Sequence, residues 1–498
     1  MTAYRVGRGP VLAAAVTAVL SLAAPPAPAT ATTATTSDAV PRKAVAKTED
    51  FNGDGYRDVA VAAPGGTVNG KERAGHVAVL YGSKSRPAHE RRQLFHQDLP
   101  DIPGSADAGD GFGEALVTGD LDRDGYTDLI VSSPGERTGT DEHETGTVMV
   151  IWGGKKGLSG SATLKTSPGP YIRAGRHMAI GDFDGDGDQD LAVNEDFGNL
   201  LVLSGPFQRD GRASGARLIG GGLFFNRDLA AGDIDRDGRT DIAAIRTYYE
   251  NPDSRHLAVW KGTPQGPSPT YEVVKKDAKW TLEGGDNLDM GDVNRDGHAD
   301  VVMGRRDGYD SDRDIPQAKG GMLSYVPGSA KGLVGSKAVR INQDSPGIPG
   351  VAVPDDYFGS GVSIADIDGD GYEDVAAGVL AKEVDGVRWA GAVITLRGSA
   401  KGLTGSGAKR LTQSSRGVPG VSEAFDVFGE NNKLVDMNGD RRADLIVAAV
   451  GENQRAGALW AFRGTRSGVT ATGSVTFGNG TLGAVAAPRS ELGRTFAQ

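Results

Sequence analysis

The sequence predicts an all-β chain folded as a seven-bladed β-propeller. Three observations carry this: an acidic nine-residue motif that recurs seven times, strand-like runs flanking each copy, and abundant glycine without a collagen period. Gly accounts for 75 of 498 residues, far above ordinary usage, which points to many tight turns between short strands. A motif returning every few tens of residues means one supersecondary unit copied along the chain.

The first copy is DFNGDGYRD, beginning at Asp50. The spacing D-x-[DN]-x-D-x-x-x-D returns from Asp120, Asp182, Asp233, Asp292, Asp366 and Asp436, at intervals of 70, 62, 51, 59, 74 and 70 residues. Calcium takes six to eight hard oxygen ligands, which carboxylates and a backbone carbonyl supply. In the first loop Asp50, Asn52, Asp54 and Asp58 read as side-chain ligands, with the Tyr56 carbonyl between them. The second offers Asp120, Asp122, Asp124 and Asp128 with Tyr126, and the third Asp182, Asp184, Asp186 and Asp190 with Asp188. The fourth offers Asp233, Asp235, Asp237 and Asp241 with Arg239. The fifth has Asp292, Asn294, Asp296 and Asp300 with His298, whose imidazole is then expected to face solvent. The sixth has Asp366, Asp368, Asp370 and Asp374 with Tyr372, and the seventh Asp436, Asn438, Asp440 and Asp444 with Arg442.

Position 6 is Gly in six loops, which permits the sharp turn between ligands. In the seventh it is Arg441, so that turn is expected to be strained or differently shaped and its site the weakest. An EF-hand would need a bidentate Glu at position 12. Here that position holds Val61, Val131, Val193, Ala244, Met303, Ala377 and Val447. An ion-free Asx-turn is the plainer alternative, but such a turn needs one aspartate and not four.

Each loop is preceded by a short strand-like stretch, such as GVSIAD or EALVTGD, and followed by a β-rich run such as DVAVAAPG or DLIVSSPG. Strand, acidic hairpin loop, strand is the resulting unit. A third strand follows in HVAVLYG, TVMVIWGG or GAVITLRG, and a less distinct fourth in RRQLFHQ or KAVRINQ. Four short antiparallel strands in seven copies, with almost no amphipathic helix, describe a propeller.

The N-terminus reads as a targeting segment. Arg5 and Arg8 precede an apolar run ending near Ala24, and PPAPATATT follows, so residues 1–29 are expected to be a secretory signal peptide. Residues 30–43 read as a disordered lead-in and residues 44–498 as the propeller. No second run is long and apolar enough to span a bilayer. The chain has no cysteine, so a secreted protein of this kind needs core size or bound metal for stability.

The formal charge is −11, and the motif positions 1, 3, 5 and 9 hold 25 of the 65 acidic residues. Up to seven divalent cations, Ca²⁺ by this chemistry, would bring the chain near neutrality and couple folding to binding. No basic stripe exists, which argues against nucleic acid or an anionic membrane as partner.

The runs FGEALVTGDLDRDGYTDLIVSSPGE with GTVMVIWG, and FGSGVSIADIDGDGYEDVAAG with GAVITLRG, resemble the FG-GAP repeats of the integrin α-subunit headpiece. The resemblance covers residues 44 to 498. It implies an integrin α-like seven-bladed propeller with calcium in loops on one face and ligands met mostly on the opposite face. Repeats three, four and five depart from it, with RHMAIGD, RDLAAGD and DNLDMGD in place of the Phe-Gly run. All seven loops look competent, whereas the family often loses several.

Three copies carry one extension before Phe-Gly: QDLPDIPGSADAGDGFG from Gln97, QDSPGIPGVAVPDDYFG from Gln343 and QSSRGVPGVSEAFDVFG from Gln413. In a closed ring these belong to neighbouring repeats two, six and seven, with repeat one between. The C-terminal ELGRTFAQ aligns with YFGSGVSI and is expected to close the ring as the missing strand of blade one, with AVAKTED, residues 44–50, as the competing donor. The extensions either form a recognition surface or only brace adjacent blades.

No G-x-S-x-G elbow, H-E-x-x-H helix or phosphate loop is present, and the seven histidines form no cluster in sequence. Asp310, Asp312 and Asp314 read as a solvated loop. The functional expectation is a secreted, extracellular, monomeric calcium-binding module for adhesion to, or recognition of, an extracellular protein or glycan. The alternative is a secreted hydrolase (esterase, phospholipase or polysaccharide-active), because FG-GAP-like repeats accompany catalytic modules of the glycosylphosphatidylinositol-specific phospholipase D type. Against it, the propeller is expected to take up the whole mature chain.

Overall fold

The computed structural model describes residues 49–84, 91–137, 146–165, 175–306 and 319–498. The expected signal peptide and lead-in, residues 44–48 of the competing strand donor, and the acidic stretch at Asp310, Asp312 and Asp314 lie outside the described residues.

Seven antiparallel sheets of four strands each follow one another. Taken from the inside outward, blade 2 is Leu116–Gly119, Asp128–Ser133, Thr147–Ile151 and Ser161–Thr163. Blade 6 is Phe358–Ala365, Asp374–Val379, Ala392–Arg397 and Thr404–Leu411, and blade 7 is Phe428–Val435, Asp444–Ala449, Ala458–Arg463 and Thr470–Gly478. From blade 2 to blade 7 the inner strand of each blade packs on that of the next, and that of blade 7 packs on Thr495–Phe496; Gln498, just past it, bonds to Leu116 and Thr118 of blade 2. Among the described residues, helix is confined to single short turns such as Glu452–Arg455 and Asn479–Leu482.

The second strands are buried throughout, as in Val59–Ala63 and Asp128–Ser133, because both faces of a blade are covered by its neighbours. That is why they read as unbroken apolar runs and not as alternating ones. Apolar residues therefore collect in layers between blades, as where Ala60, Ala62, Val77 and Val79 of blade 1 meet Leu116, Leu129 and Val131 of blade 2. Fourth strands are half exposed, as in Arg92–Phe95.

The Phe-Gly pair locks one blade onto the previous one. Phe112, Phe358 and Phe428 are fully buried, and their N–H groups donate to Ala74, Gly320 and Ala390 carbonyls of the preceding blade at 2.9, 2.8 and 2.9 Å. Gly113 follows at φ +94, and a Cβ there would stand 2.6 Å from the Ala62 Cβ. Only glycine satisfies both the left-handed backbone and the contact.

Because the strands alternate in direction, the acidic loops between first and second strands share one face with the turns between third and fourth strands. The blade-to-blade connections, with the three long extensions, occupy the opposite face.

Blade 1 takes its inner strand from the C-terminal end. Thr495–Phe496 pairs with Ala62 and Val61, and the Gly493 and Ala497 N–H groups donate to Ala62 and Ala60 carbonyls, each at 3.0 Å. The same segment reaches both neighbours. Leu492 N–H donates to Ala456 of blade 7 at 3.1 Å, and Gln498 N–H donates to Leu116 of blade 2 at 3.2 Å. Truncation after Ser490 is expected to lower stability by several kcal/mol and to cause aggregation through the exposed edge of a three-stranded blade. Calorimetry with size-exclusion chromatography checks this; a monomer with unchanged melting would contradict it.

Candidate metal centre

Within each loop the first aspartate is gripped by the backbone that follows it. Asp50 accepts from the Asp54 and Gly55 N–H groups at 3.1 and 2.9 Å, and Asp120 accepts likewise from Asp124 and Gly125. The fifth-position carboxylate accepts from the seventh-position N–H, as Asp54 does from Tyr56 at 3.1 Å. Turning several N–H groups toward one point lets a short loop gather anionic side chains.

The ninth-position aspartate does a further job. One Asp58 oxygen accepts from Phe51 N–H at 2.9 Å, and the other from Gly82 N–H, just beyond the third strand, also at 2.9 Å. Asp128, Asp190, Asp241 and Asp374 bridge in the same way to Gly153, Gly205, Gly262 and Gly398. Burial pushes these carboxyls upward against the pull of those N–H groups: Asp58 and Asp128 to about 8 and Asp374 to about 7. Asp190, Asp241, Asp300 and Asp444 are pushed to about 6 for the same reason.

In four loops, oxygens of positions 1, 3 and 9 come within 4.8 Å of one another: Asp120, Asp122 and Asp128; Asp182, Asp184 and Asp190; Asp233, Asp235 and Asp241; Asp366, Asp368 and Asp374. Position 5 is not part of that group. Its outer oxygen pairs with arginine in several loops, Arg91 with Asp54 at 3.1 Å and Arg442 with Asp440 at 3.0 Å. All donors in the group are carboxylate oxygens, with no nitrogen or sulfur, so the residues fit a hard divalent cation such as calcium and not zinc.

Basic side chains distant in sequence reach some of these clusters. Arg209 pairs with Asp122, Lys261 with Asp235 at 3.4 Å, and Arg397 with Asp368. Among the described residues no ion pair involves Asp182, Asp184 or Asp190. In the seventh loop the Asn438 amide donates to both oxygens of Asp444, at 3.1 and 2.9 Å. Arg441 takes φ +65, and its N–H donates to Asp436 at 2.8 Å, as glycine does elsewhere. The turn keeps its shape and carries the strain of a side chain in the left-handed region.

His298 requires a correction. Its imidazole is not turned to solvent: Nδ1 lies 2.9 Å from the Ile234 carbonyl of the preceding blade. This is one instance of a rule invisible in the motif, namely that every seventh-position side chain meets the loop before it. Tyr56 and Tyr126 lie over Gly439 and Gly53, and Arg239 and Arg442 over Gly185 and Gly369. Asp188 pairs with Arg123 at 2.7 Å, and Tyr372 lies under Arg295 at 5.9 Å. Backbone bonds run alongside: Thr127, Thr240, Ala299, Glu373 and Ala443 N–H groups donate to the carbonyls of Asp50, Asp182, Asp233, Asp292 and Asp366.

Blades built on acidic hairpins, three of them pinned by Phe-Gly, match known repeat models. The FG-GAP repeat model matches residues 44–80 and 112–151, and an FG-GAP-like repeat model matches residues 182–244. The chain carries FG-GAP repeats. Phosphatidylinositol-glycan-specific phospholipase D of Rattus norvegicus is 32% identical over 155 residues, 31% of this chain and 18% of that protein. Integrin alpha-PS2 of Drosophila melanogaster is 27% identical over 249 residues, 45% of this chain and 16% of that protein. This FG-GAP chain thus spans less than a fifth of these relatives. A Bacillus licheniformis rhamnogalacturonan lyase superposes at TM-score 0.35 and 15% identity over 89% of this chain and 76% of that one, too low a score to bear on function.

Two outcomes are expected of the FG-GAP loops. Asp184→Ala, which removes an oxygen from a cluster whose aspartates form no ion pair among the described residues, should shrink the calcium-dependent part of the melting temperature more than Asn438→Ala; equal losses would contradict the ranking. Secondly, the raised carboxyls bind protons in the folded chain that the unfolded chain has released. In chelator, stability is therefore present below pH 4 and lost as pH rises through 6 to 8. Chelated protein should melt lower at pH 8 than at pH 5.5, with the gap closing in calcium; equal chelated melting at both values would contradict it.

Proposed function

We propose that this chain is a secreted, calcium-stabilised, non-catalytic module that recognises an extracellular protein or glycan through the face opposite its acidic loops. One observation carries the reading. On that face Tyr357, Trp389 and Phe425 stand side by side, with ring centroids 5.8 and 6.0 Å apart. Tyr357 and Trp389 line a hollow with Arg227, Arg255, Arg306 and Asp286.

Each aromatic residue holds a positive φ, of 57, 56 and 71 degrees, a conformation that bulky side chains adopt only at a cost. Phe425 is 57% exposed. Three arginines gather on the carboxylate of Asp286, Arg255 at 3.0 Å, Arg227 at 3.5 Å and Arg306 at 4.0 Å, which places three guanidinium groups at the hollow. A flat apolar wall beside guanidinium groups suits a ligand that presents a carboxylate next to a sugar ring or an apolar side chain.

The aromatic residues come from the extensions before blades 6 and 7 and from the hairpin of blade 6. Recognition across blades 6, 7, 1 and 2 is supported at its blade 6 and 7 end. Secretion rests on the N-terminal segment. No helix among the described residues is long and apolar enough to cross a membrane. Calcium binding rests on the donor sets of the loops, with affinities expected near ~10⁻⁴–10⁻³ M, the range of extracellular modules.

Melting in excess chelator against melting in calcium tests the metal reading; an unchanged transition would sink it. For the ligand, the purified chain is applied to arrays of acidic and neutral glycans and of extracellular proteins. Binding should fall by about tenfold or more in Trp389→Ala, ~1.4 kcal/mol. A parallel panel of ester, phosphodiester and polysaccharide substrates separates the hydrolase reading, and turnover there would displace the binding one.

A further inference from the structure

The third position of the acidic loops varies, and the basic side chains vary with it. It is Asp in loops 2, 3, 4 and 6 (Asp122, Asp184, Asp235 and Asp368) and Asn in loops 1, 5 and 7 (Asn52, Asn294 and Asn438). Three of those four aspartates carry an ion pair: Asp122 with Arg209, Asp235 with Lys261 at 3.4 Å, and Asp368 with Arg397. The asparagines bring no charge to neutralise.

Two of these cations come from one structural position. Lys261 and Arg397 each precede the glycine whose N–H bonds the ninth-position aspartate, Gly262 to Asp241 at 2.8 Å and Gly398 to Asp374 at 2.9 Å. Arg397 reaches furthest into its loop: besides meeting Asp368, its Nη1 lies 4.0 Å from Asp374. Arg209 arrives instead from the turn between the third and fourth strands of blade 3. It lies over the Trp152 ring at 5.1 Å and pairs with Asp124 at 2.7 Å as well as with Asp122.

Loop 3 breaks the pattern. Gly205 N–H donates to Asp190 at 2.9 Å as in the other blades, but the residue before it is Ser204, which has no charge to offer. The charge of Arg217 acts on Asp184 and Asp190, yet its Nη2 donates to the Pro267 carbonyl and it forms no ion pair with either. Positions 1, 3 and 9 supply the oxygen cluster. With the ion pairs included they carry a formal charge of −2 in six loops and −3 in loop 3.

Resting on the calcium reading of the loops, we propose that Arg209, Lys261 and Arg397 are built-in counter-ions. Each holds its loop together without metal and weakens metal binding there, because a divalent ion entering beside it meets a like charge at close range. Loop 3 has no such competitor. Ligand charge sets calcium affinity, so loop 3 fills before loops 2, 4 and 6 as calcium rises.

The test uses crystals of the full chain soaked in rising terbium, with anomalous difference maps of wild type and Arg397→Met, which keeps an apolar stem and removes the charge. In wild type the loop 3 peak should appear at lower terbium than those of loops 2, 4 and 6. In the variant the loop 6 peak should appear at about tenfold lower terbium than in wild type, with loops 2 and 4 unmoved as internal references. In chelator the variant should melt below wild type, and calcium should close that gap. A loop 6 peak that does not strengthen, a loop 3 that fills together with loops 2, 4 and 6, or unchanged melting in chelator would overturn the inference and leave the calcium reading intact. Peaks in no loop would overturn both. Should Arg397→Met fail to fold, Lys261→Met read at loop 4 decides.

Discussion

Each blade is built around a carboxylate that the fold buries and cannot leave alone. The ninth-position aspartate ties the start of its own loop to the turn beyond the third strand, as Asp128 does between Leu121 and Gly153. Three strands are thereby held in register by one side chain. Burial favours its neutral form, whereas the hairpin needs its charge to hold two N–H groups at once. A divalent cation would resolve that conflict, and so the geometry that suits a metal is the geometry that holds the blade together.

The loops do not act singly. Each seventh-position side chain rests on the preceding loop, and the first-position carbonyl of one loop accepts from the next, as Asp182 does from Thr240 at 2.8 Å. A shift at one site moves a ligand-bearing residue of its neighbour. Seven loops coupled in this way can harden a whole face together, which leaves the other face free to vary. There the repeats diverge, with long extensions before three blades.

The period of the acidic motif made the blade count and strand order legible, because the same four oxygen-bearing positions must recur wherever the same hairpin does. The role of ELGRTFAQ was legible for a similar reason: it copies a Phe-Gly strand with leucine in place of phenylalanine. The inter-loop contacts were not. Tyr126, Asp188, His298 and Arg442 have no common chemistry, and their partners belong to a different repeat. Arg209 and Arg397 reach their aspartates from outside the motif, so a reading confined to nine residues sees uncompensated charge. Tyr357, Trp389 and Phe425 come from three separate turns and form a surface only after the ring closes.

That closure has a consequence for how the chain reaches its final form. Blades 2 to 7 are each contiguous in sequence, so a nascent chain can complete them one after another as it emerges. Blade 1 cannot finish in this way, since Val61 must wait for Phe496. Until then it is a three-stranded sheet whose free edge is a template for the wrong partner. The last contact to form is thus the one with the greatest loop entropy against it. Any crossing of a membrane by this chain would be easiest before that contact, while the ring is still an open row of blades.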